Sequence, residues 1–428
     1  MTNRSSINRR ALLAGGVSLL SAPMILRASR ASAQAKTFKI GFVNPATGPL
    51  AGFGEADQYI IESAKAAMSG LTNNGAPVSI EIIYKDTQSS SNRAAEVTAE
   101  LIDSDNVDLI VASGAPDTTN PVADQCELNE KPCITTVAPW QPYFFGRNGA
   151  PDKGFQFTYH FFWGLEDVIA NFLNMWDASG VAAKNVAGLF PNDADGNAWG
   201  DPERGFPKPL ADRGYKVIDP GRYQVMNNDF SSQIAAFKEA GCEIVTGNMI
   251  PPDFATFWSQ AAQQGFNPKV VTIGKALLFP SVIESLGARG DGLTSEIWWT
   301  PSHPFTSSLT GETAAQLADG YVKASGRSWT QPLGFVHGLF EIAADVIKRA
   351  EALDDAEAVT AALAATDMDT VVGKIAWNGG DKNPVKNVVR TPLVGGQWQI
   401  KDGKPELVVT SNLEATNIPL GGEMKLIG

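Results

Sequence analysis

The chain has 428 residues, 43% of them apolar, enough to bury one large core or two medium ones, so two lobes are expected. Its formal net charge is −12, and an acidic surface of that size excludes a nucleic-acid partner, whose phosphates need a basic patch. No segment after the first 33 residues offers 18 unbroken apolar residues, which excludes a membrane span there.

Residues 1–33 read as an export signal. Arg4, Arg9 and Arg10 precede an apolar stretch from Ala11 to Leu26, and Ala31-Ser32-Ala33 supplies small residues for cleavage. The order Asn8-Arg9-Arg10-Ala11-Leu12-Leu13 is similar to a twin-arginine signal. No Cys stands at the cleavage site, so a free periplasmic protein is expected over a lipid-anchored one. Removing the segment takes away five Arg and no acid, which moves the formal net charge from −12 to −17.

Beyond the signal, short β-branched runs alternate with helical stretches. Phe38–Val43, Val78–Tyr84, Val107–Ala112 and Cys133–Val137 read as strands with helices between them, so the first third is βαβαβαβ with a parallel sheet. The second third repeats the plan, with strands over 186–190, 215–218 and 243–246. The repeat extends to detail. Asp86 to Ser90 precedes one helix as Asn227 to Ser232 precedes another, both offering side-chain oxygens to first-turn amides. Ala115-Pro116-Asp117 opens after one strand as Ile250-Pro251-Pro252-Asp253 opens after its counterpart.

Two extended aromatic runs, 156–162 and 293–300, are placed to cross between lobes, and a third crossing is expected between 350 and 375. Helical patterns over 312–325 and 333–350 look like a return to the first lobe, and the tail reads as strands over 374–377, 397–400 and 406–409. The resulting division is signal 1–33, first lobe 36–157, second lobe 158–297, first-lobe return 298–355, and second-lobe or hinge return with tail 356–428.

Cys126 and Cys133 lie seven apart and an oxidising compartment would let them pair; buried free thiols are the alternative. Cys242 reads as a small buried hydrophobe. His160, His303 and His337 are scattered without carboxylates close in sequence, and GxSxG, CxxC and HExxH are absent, so neither a catalytic triad nor a metal centre is expected. No cofactor is expected.

The glycines after the first strand, Gly48, Gly52 and Gly54, have neither the Lys of a phosphate loop nor the spacing of a dinucleotide loop, and Glu55 would repel a phosphate. On spacing alone they fit a simple tight connection. Ten Trp are present. Trp140, Trp163, Trp199, Trp298 and Trp299 fall at strand ends or crossings, where parallel α/β sheets bind ligands, so they suggest an aromatic-walled cleft; individually each also fits a core aromatic.

Thr47-Gly48-Pro49-Leu50-Ala51-Gly52-Phe53-Gly54-Glu55, directly after the strand that contains Ile40-Gly41, resembles the opening loop of the solute-binding proteins of ABC importers for branched-chain amino acids and amides. The resemblance covers about residues 36–410. It implies two Rossmann-like α/β lobes with parallel sheets, joined by a three-strand hinge around a ligand cleft, the type I periplasmic-binding fold. It also implies a monomer that is not an enzyme and that delivers a small solute to an inner-membrane permease with ATPase subunits. A periplasmic sensor of the same fold is the alternative.

Residue by residue, the resemblance assigns Ala115, Thr118 and Thr119 to a ligand carboxylate, in keeping with the anion affinity of helix N-termini. It matches the loop of Ala138, Pro139 and Trp140 to a ligand loop, while Trp163 and Trp299 belong to the cleft wall, and Leu50 and Phe53 to its rim, by their places in the chain. Trp199-Gly200 stands where relatives carry Tyr-Gly, and Asp253 stands where an acid meets a ligand ammonium; Asp253 also fits a helix cap. The Trp-for-Tyr change and the bulky Phe161-Phe162-Trp163 favour a larger apolar or aromatic acid, or a cation or amide, over a small aliphatic amino acid.

Overall fold

The computed structural model describes residues 36–377 and 380–427. The export signal expected over 1–33 lies outside them. Over residues 40–44, Leu109–Ala112, Cys133–Thr136 and Thr158–Phe161 the strands of the first repeat are runs buried on both faces, the pattern of a parallel sheet covered by helices. The strands are β1 (Lys36–Asn44), β2 (Thr72–Asn73), β3 (Ala76–Asp86), β4 (Leu109–Ala112), β5 (Cys133–Thr136) and β6 (Thr158–Phe161). The second repeat supplies β7 (Asn185–Leu189), β8 (Lys216–Ile218), β9 (Ile244–Met249), β10 (Val270–Lys275) and β11 (Thr294–Ile297). A two-stranded hairpin, β12 (Asp367–Thr370) with β13 (Gly373–Ala376), precedes β14 (Val388–Val389), β15 (Val394–Lys401) and β16 (Lys404–Ser411).

These strands form two seven-stranded sheets, in the orders β14-β6-β5-β4-β1-β3-β2 and β16-β15-β11-β10-β9-β7-β8. The repeat seen in the sequence is therefore structural, since β1, β3, β4, β5 and β6 occupy the places that β7, β8, β9, β10 and β11 occupy in the second sheet. Both sheets are parallel in their centres, but β2 joins the first antiparallel to β3, and β15 and β16 extend the second antiparallel. The two α/β lobes with parallel sheets are thus as expected, and the antiparallel members of these parallel-dominated sheets lie at the edges.

Sheet membership also moves the points where the chain passes between lobes. The run 156–162, which reads as a crossing, contains β6, which pairs with β5 in register Cys133 with Thr158, so the chain leaves the first lobe only at Phe162. The helix Ala356–Ala364 follows the first-lobe helix Pro332–Arg349, and β14 pairs with β6, so the first lobe continues past residue 355 and the third crossing falls between β14 and β15. Cys126 and Cys133 are free, buried thiols among Val97, Leu101, Val107 and Ile110, which corrects the possible disulfide; Cys242 is buried and free as well.

Local capping explains where helices begin. Ser90 accepts from the Arg93 amide at 3.4 Å, and Thr313 with Gln316 forms a reciprocal capping box. In the repeat's counterpart Phe230 occupies the cap position, and Asp229 instead accepts from the Ser231 amide at 2.9 Å. No helix among the described residues is long and apolar enough to cross a membrane.

Helix Pro332–Arg349 is buried nearly all round and braces the second crossing. Gly334, on this helix, lies flat against the Trp299 indole, which a Cβ would overlap. Trp299 is held there by donating to the Val371 carbonyl at 3.2 Å. The substitution Gly334→Ala should therefore destabilise the fold by about 1–3 kcal/mol through overpacking, checked by the midpoint of chemical denaturation.

Candidate functional site

In a parallel α/β sheet the chain reverses strand order at one point, and loops leaving the strand ends there splay apart to open a crevice. In the first sheet this point lies between β1 and β4, in the second between β7 and β9. The loops beyond both points face one cavity. Phe53 follows β1, Ala115 follows β4, Val137 and Pro139 follow β5, and Phe162 and Trp163 follow β6. From the second sheet come Asp195 and Trp199 after β7, Asn248 of β9, Lys275 at the end of β10, Leu278 just beyond it, and Glu296 and Trp298 from the end of β11.

The walls are aromatic and interlocked. Phe53 meets Phe279 edge-on across the cleft at 5.1 Å, and Phe162 meets Trp298 at 5.1 Å. Trp163 meets Trp199 at 6.5 Å, and Trp199 is stacked on Phe206 at 4.8 Å. About 30 Å³ of the cavity admits the centre of a water-sized sphere, room for roughly two waters. A larger solute therefore enters only as the walls part.

One end of the cavity is charged. Lys275 has φ +64°, a left-handed conformation that is rare for a residue with a side chain, and its equivalent in the first sheet, Val137, has φ +62°. Both turns place a residue directly against the cavity, and backbone held this way is found where surrounding structure enforces it. The Lys275 ammonium lies 2.7 Å from Asp195 Oδ2 and 3.5 Å from Asp193 Oδ2. Its amide donates to Glu296 Oε1 at 3.4 Å. Asp117 approaches from the first lobe and accepts from the Ala194 amide at 3.4 Å.

Burial opposes the Lys275 charge, but Asp193, Asp195 and Asp117 outweigh it and hold the ammonium above its ordinary range. Burial likewise pushes Asp195 up to about 6 against the pull of Lys275, and Glu296 up to about 7. Asp117 is raised by burial too.

Several buried polar atoms on this cavity have no partner among the described residues: Asp195 Oδ1, both side-chain polar atoms of Asn248, and the indole nitrogens of Trp163, Trp199 and Trp298. Buried polar atoms are nearly always satisfied, so this concentration marks a place built for something polar.

Of the residues singled out in the sequence, Phe53, Ala115, Phe162, Trp163, Trp199 and Trp298 line the cavity. The others stand apart from it, each for a local reason. Leu50 is buried in the first-lobe core, its amide donating to Ser89 Oγ. Thr118 and Thr119 turn their hydroxyls onto the carbonyls of Ala115 and Gly114, and their amides bond Ala115 as well. Pro116 has no N–H, so this helix start has few donors left for a carboxylate.

The Ala138 carbonyl is taken by His160 at 2.8 Å, and Trp140 donates to Glu166 at 3.0 Å. Trp299 is fixed behind Gly334. Asp253 lies in the first turn of helix Pro251–Gln263 and accepts from the Met226 amide at 3.2 Å, with its carboxyl pushed up to about 6 by burial. Its Oδ1 has no partner among the described residues, yet it does not line the cavity.

Sequence reasoning missed Asp195, Asn248, Lys275 and Glu296. A usable signal exists for two of them: Asn248 ends an apolar strand, and Asn192-Asp193-Ala194-Asp195 follows another, at ligand-binding positions of the fold. The three histidines are structural. His160 bonds Thr135 and Ala138 and stacks on Tyr143, His303 bonds Thr300, and His337 bonds Ser307. No group of metal-binding side chains occurs among the described residues.

The fold has many solved counterparts. A leucine-binding protein from Thermotoga maritima superposes with a TM-score of 0.71 at 20% identity, over 88% of this chain and 99% of that one. A solute-binding protein of an ABC transporter from Rhodopseudomonas palustris, solved with 3,4-dihydroxybenzoic acid, gives 0.70 at 19%, over 90% and 99%. The substrate-binding protein of a branched-chain amino acid transporter from Streptococcus pneumoniae, solved with isoleucine, gives 0.68 at 17%, over 87% and 100%. At these identities the likeness is one of fold. In sequence, residues 37–397 match the model of the periplasmic binding protein family. The chain, two α/β lobes with a cavity at the strand ends of both, belongs to the periplasmic binding protein family, of the type I fold.

Proposed function

We propose that the protein is the periplasmic solute receptor of an ABC importer, which captures one small solute between its lobes and presents the closed form to an inner-membrane permease with cytoplasmic ATPase subunits. The observation that carries this reading is the cavity at the strand ends of both sheets, where buried polar atoms of Asp195, Asn248 and three Trp lack partners. A solute that fills it touches both lobes at once. Such a solute gains differential affinity for the closed form, and a preference of about 5.5 kcal/mol moves closure from 1% to 99%.

The aromatic walls suit a solute with an apolar or aromatic body, and the relatives solved with dihydroxybenzoate and isoleucine have bodies of that kind. The reading is of a monomeric binding protein that turns nothing over, exported by the cleaved signal over 1–33. Phe53, Ala115, Trp163 and Trp199 form the wall, and Asp195, Asn248, Lys275 and Glu296 read the polar head. Sensing by the same fold is the rival outcome. Deleting the gene should abolish uptake of the solute that stabilises the purified protein in a thermal-shift screen; undiminished uptake would assign the protein to sensing instead.

Asn248 offers a sharper test. Its amide is buried and unpartnered, so an apolar replacement of similar size removes an unmet desolvation cost. Asn248→Leu should leave the melting temperature equal or higher while weakening the solute by about tenfold, or ~1.4 kcal/mol, in calorimetric titration. Unchanged affinity would remove Asn248 from the site.

A further inference from the structure

We infer that the head group this receptor reads is a cation, a protonated amine carried on an apolar or aromatic body, seated between Asp195 and Glu296, and not a carboxylate. The inference rests on the receptor reading and names the solute class of the same cavity.

The first ground is the charge around the cavity. Four carboxylates converge there, Asp117 from the first lobe and Asp193, Asp195 and Glu296 from the second, while Lys275 is the one cationic side chain lining it among the described residues. Its ammonium is already committed, at 2.7 Å to Asp195 and 3.5 Å to Asp193. A ligand carboxylate would find that cation occupied and would be buried beside negative charge. A ligand ammonium would find negative charge in excess.

The second ground is a free acceptor. Asp195 is 3% exposed, lines the cavity and pairs through Oδ2, yet its Oδ1 has no partner among the described residues. Asn248, 1% exposed, adds an unpartnered amide oxygen on the same wall. An ammonium needs such acceptors, because each of its N–H groups loses water on entry. The third ground is the wall itself. Phe162, Trp163, Trp199 and Trp298 present aromatic rings to the same space, and desolvated aromatic faces stabilise cations. The indole N–H groups of Trp163, Trp199 and Trp298 remain for a hydroxyl or carbonyl elsewhere on the solute.

Fourth, the place assigned to a ligand carboxylate has few donors left for it. The hydroxyls and amides of Thr118 and Thr119 are spent on Ala115 and Gly114, Pro116 has no N–H, and the acid of that turn, Asp117, faces the cleft.

In the empty protein, protons serve as the missing cations, since burial raises the affinity of both Asp195 and Glu296 for them. Binding a cation displaces those protons, so its affinity should rise with pH from 5.5 to 8. A carboxylate would follow the opposite course. Asp117, Asp193, Asp253 and Lys275 are the other charged groups facing this end from neighbouring elements.

The test is calorimetric titration and thermal shift with two matched sets: isopentylamine, isovaleramide and isovalerate, and phenethylamine, phenylacetamide and phenylacetate. The amine of at least one set should bind tenfold or more tighter than its acid, and more tightly at pH 8 than at pH 5.5. Asp195→Asn should weaken the amine at least tenfold and the amide much less; Glu296→Gln, a second variant of similar shape, should reduce the pH dependence. An acid that outbinds its amine, or affinity that falls as pH rises, overturns the cation and leaves the receptor reading standing. If neither these sets nor a broad panel of small solutes stabilises the folded protein, both readings fall.

Discussion

An ammonium taken wholly out of water has to be met by negative charge, and in this protein the demand of Lys275 organises the cleft. Its Nζ is paired with Asp195 and approached by Asp193, both from the loop after β7, while its backbone amide engages Glu296 of β11. Through Asp117 the same electrostatic cluster reaches the first lobe. Breaking such a pair by deleting one partner strands the other charge, which costs several kcal/mol on the order of 3–5. The ends of three strands are in this way tied to one residue.

The chemistry of the two halves differs although their construction is the same. Val137 and Lys275 occupy equivalent places at the ends of β5 and β10, share a left-handed backbone and both face the cavity. One presents an isopropyl group and the other an ammonium. The duplicated framework therefore fixes where side chains point, and the residue types decide which half supplies the apolar wall and which the charge. The likeness to relatives solved with aromatic acids or isoleucine is a likeness of fold.

Much of the framework was legible in the sequence because a strand buried on both faces is a short, nearly unbroken apolar run, as in Leu109–Ala112 and Cys133–Thr136. The same property hid others. Thr158–Phe161 has no alternation to separate it from an extended linker, and Val270–Lys275 reads equally as a piece of buried helix until its neighbours in the sheet are known. Aromatic wall residues could be found from their places at strand ends, as Trp163 and Trp199 were. The charged head could not. Asp193 and Lys275 are 82 residues apart, and nothing local to either announces the other. The hydroxyls of Thr118 and Thr119 close the turn of their own helix, which local sequence does not announce.

The three crossings carry a consequence for how the chain is made. The first sheet acquires β14 only after every parallel strand of the second sheet has left the ribosome, and the second sheet then waits for β15 and β16. Neither lobe can be finished while the other is absent. A nascent chain stopped before residue 388 would hold two incomplete sheets, both of which are completed only by the segment 388–411.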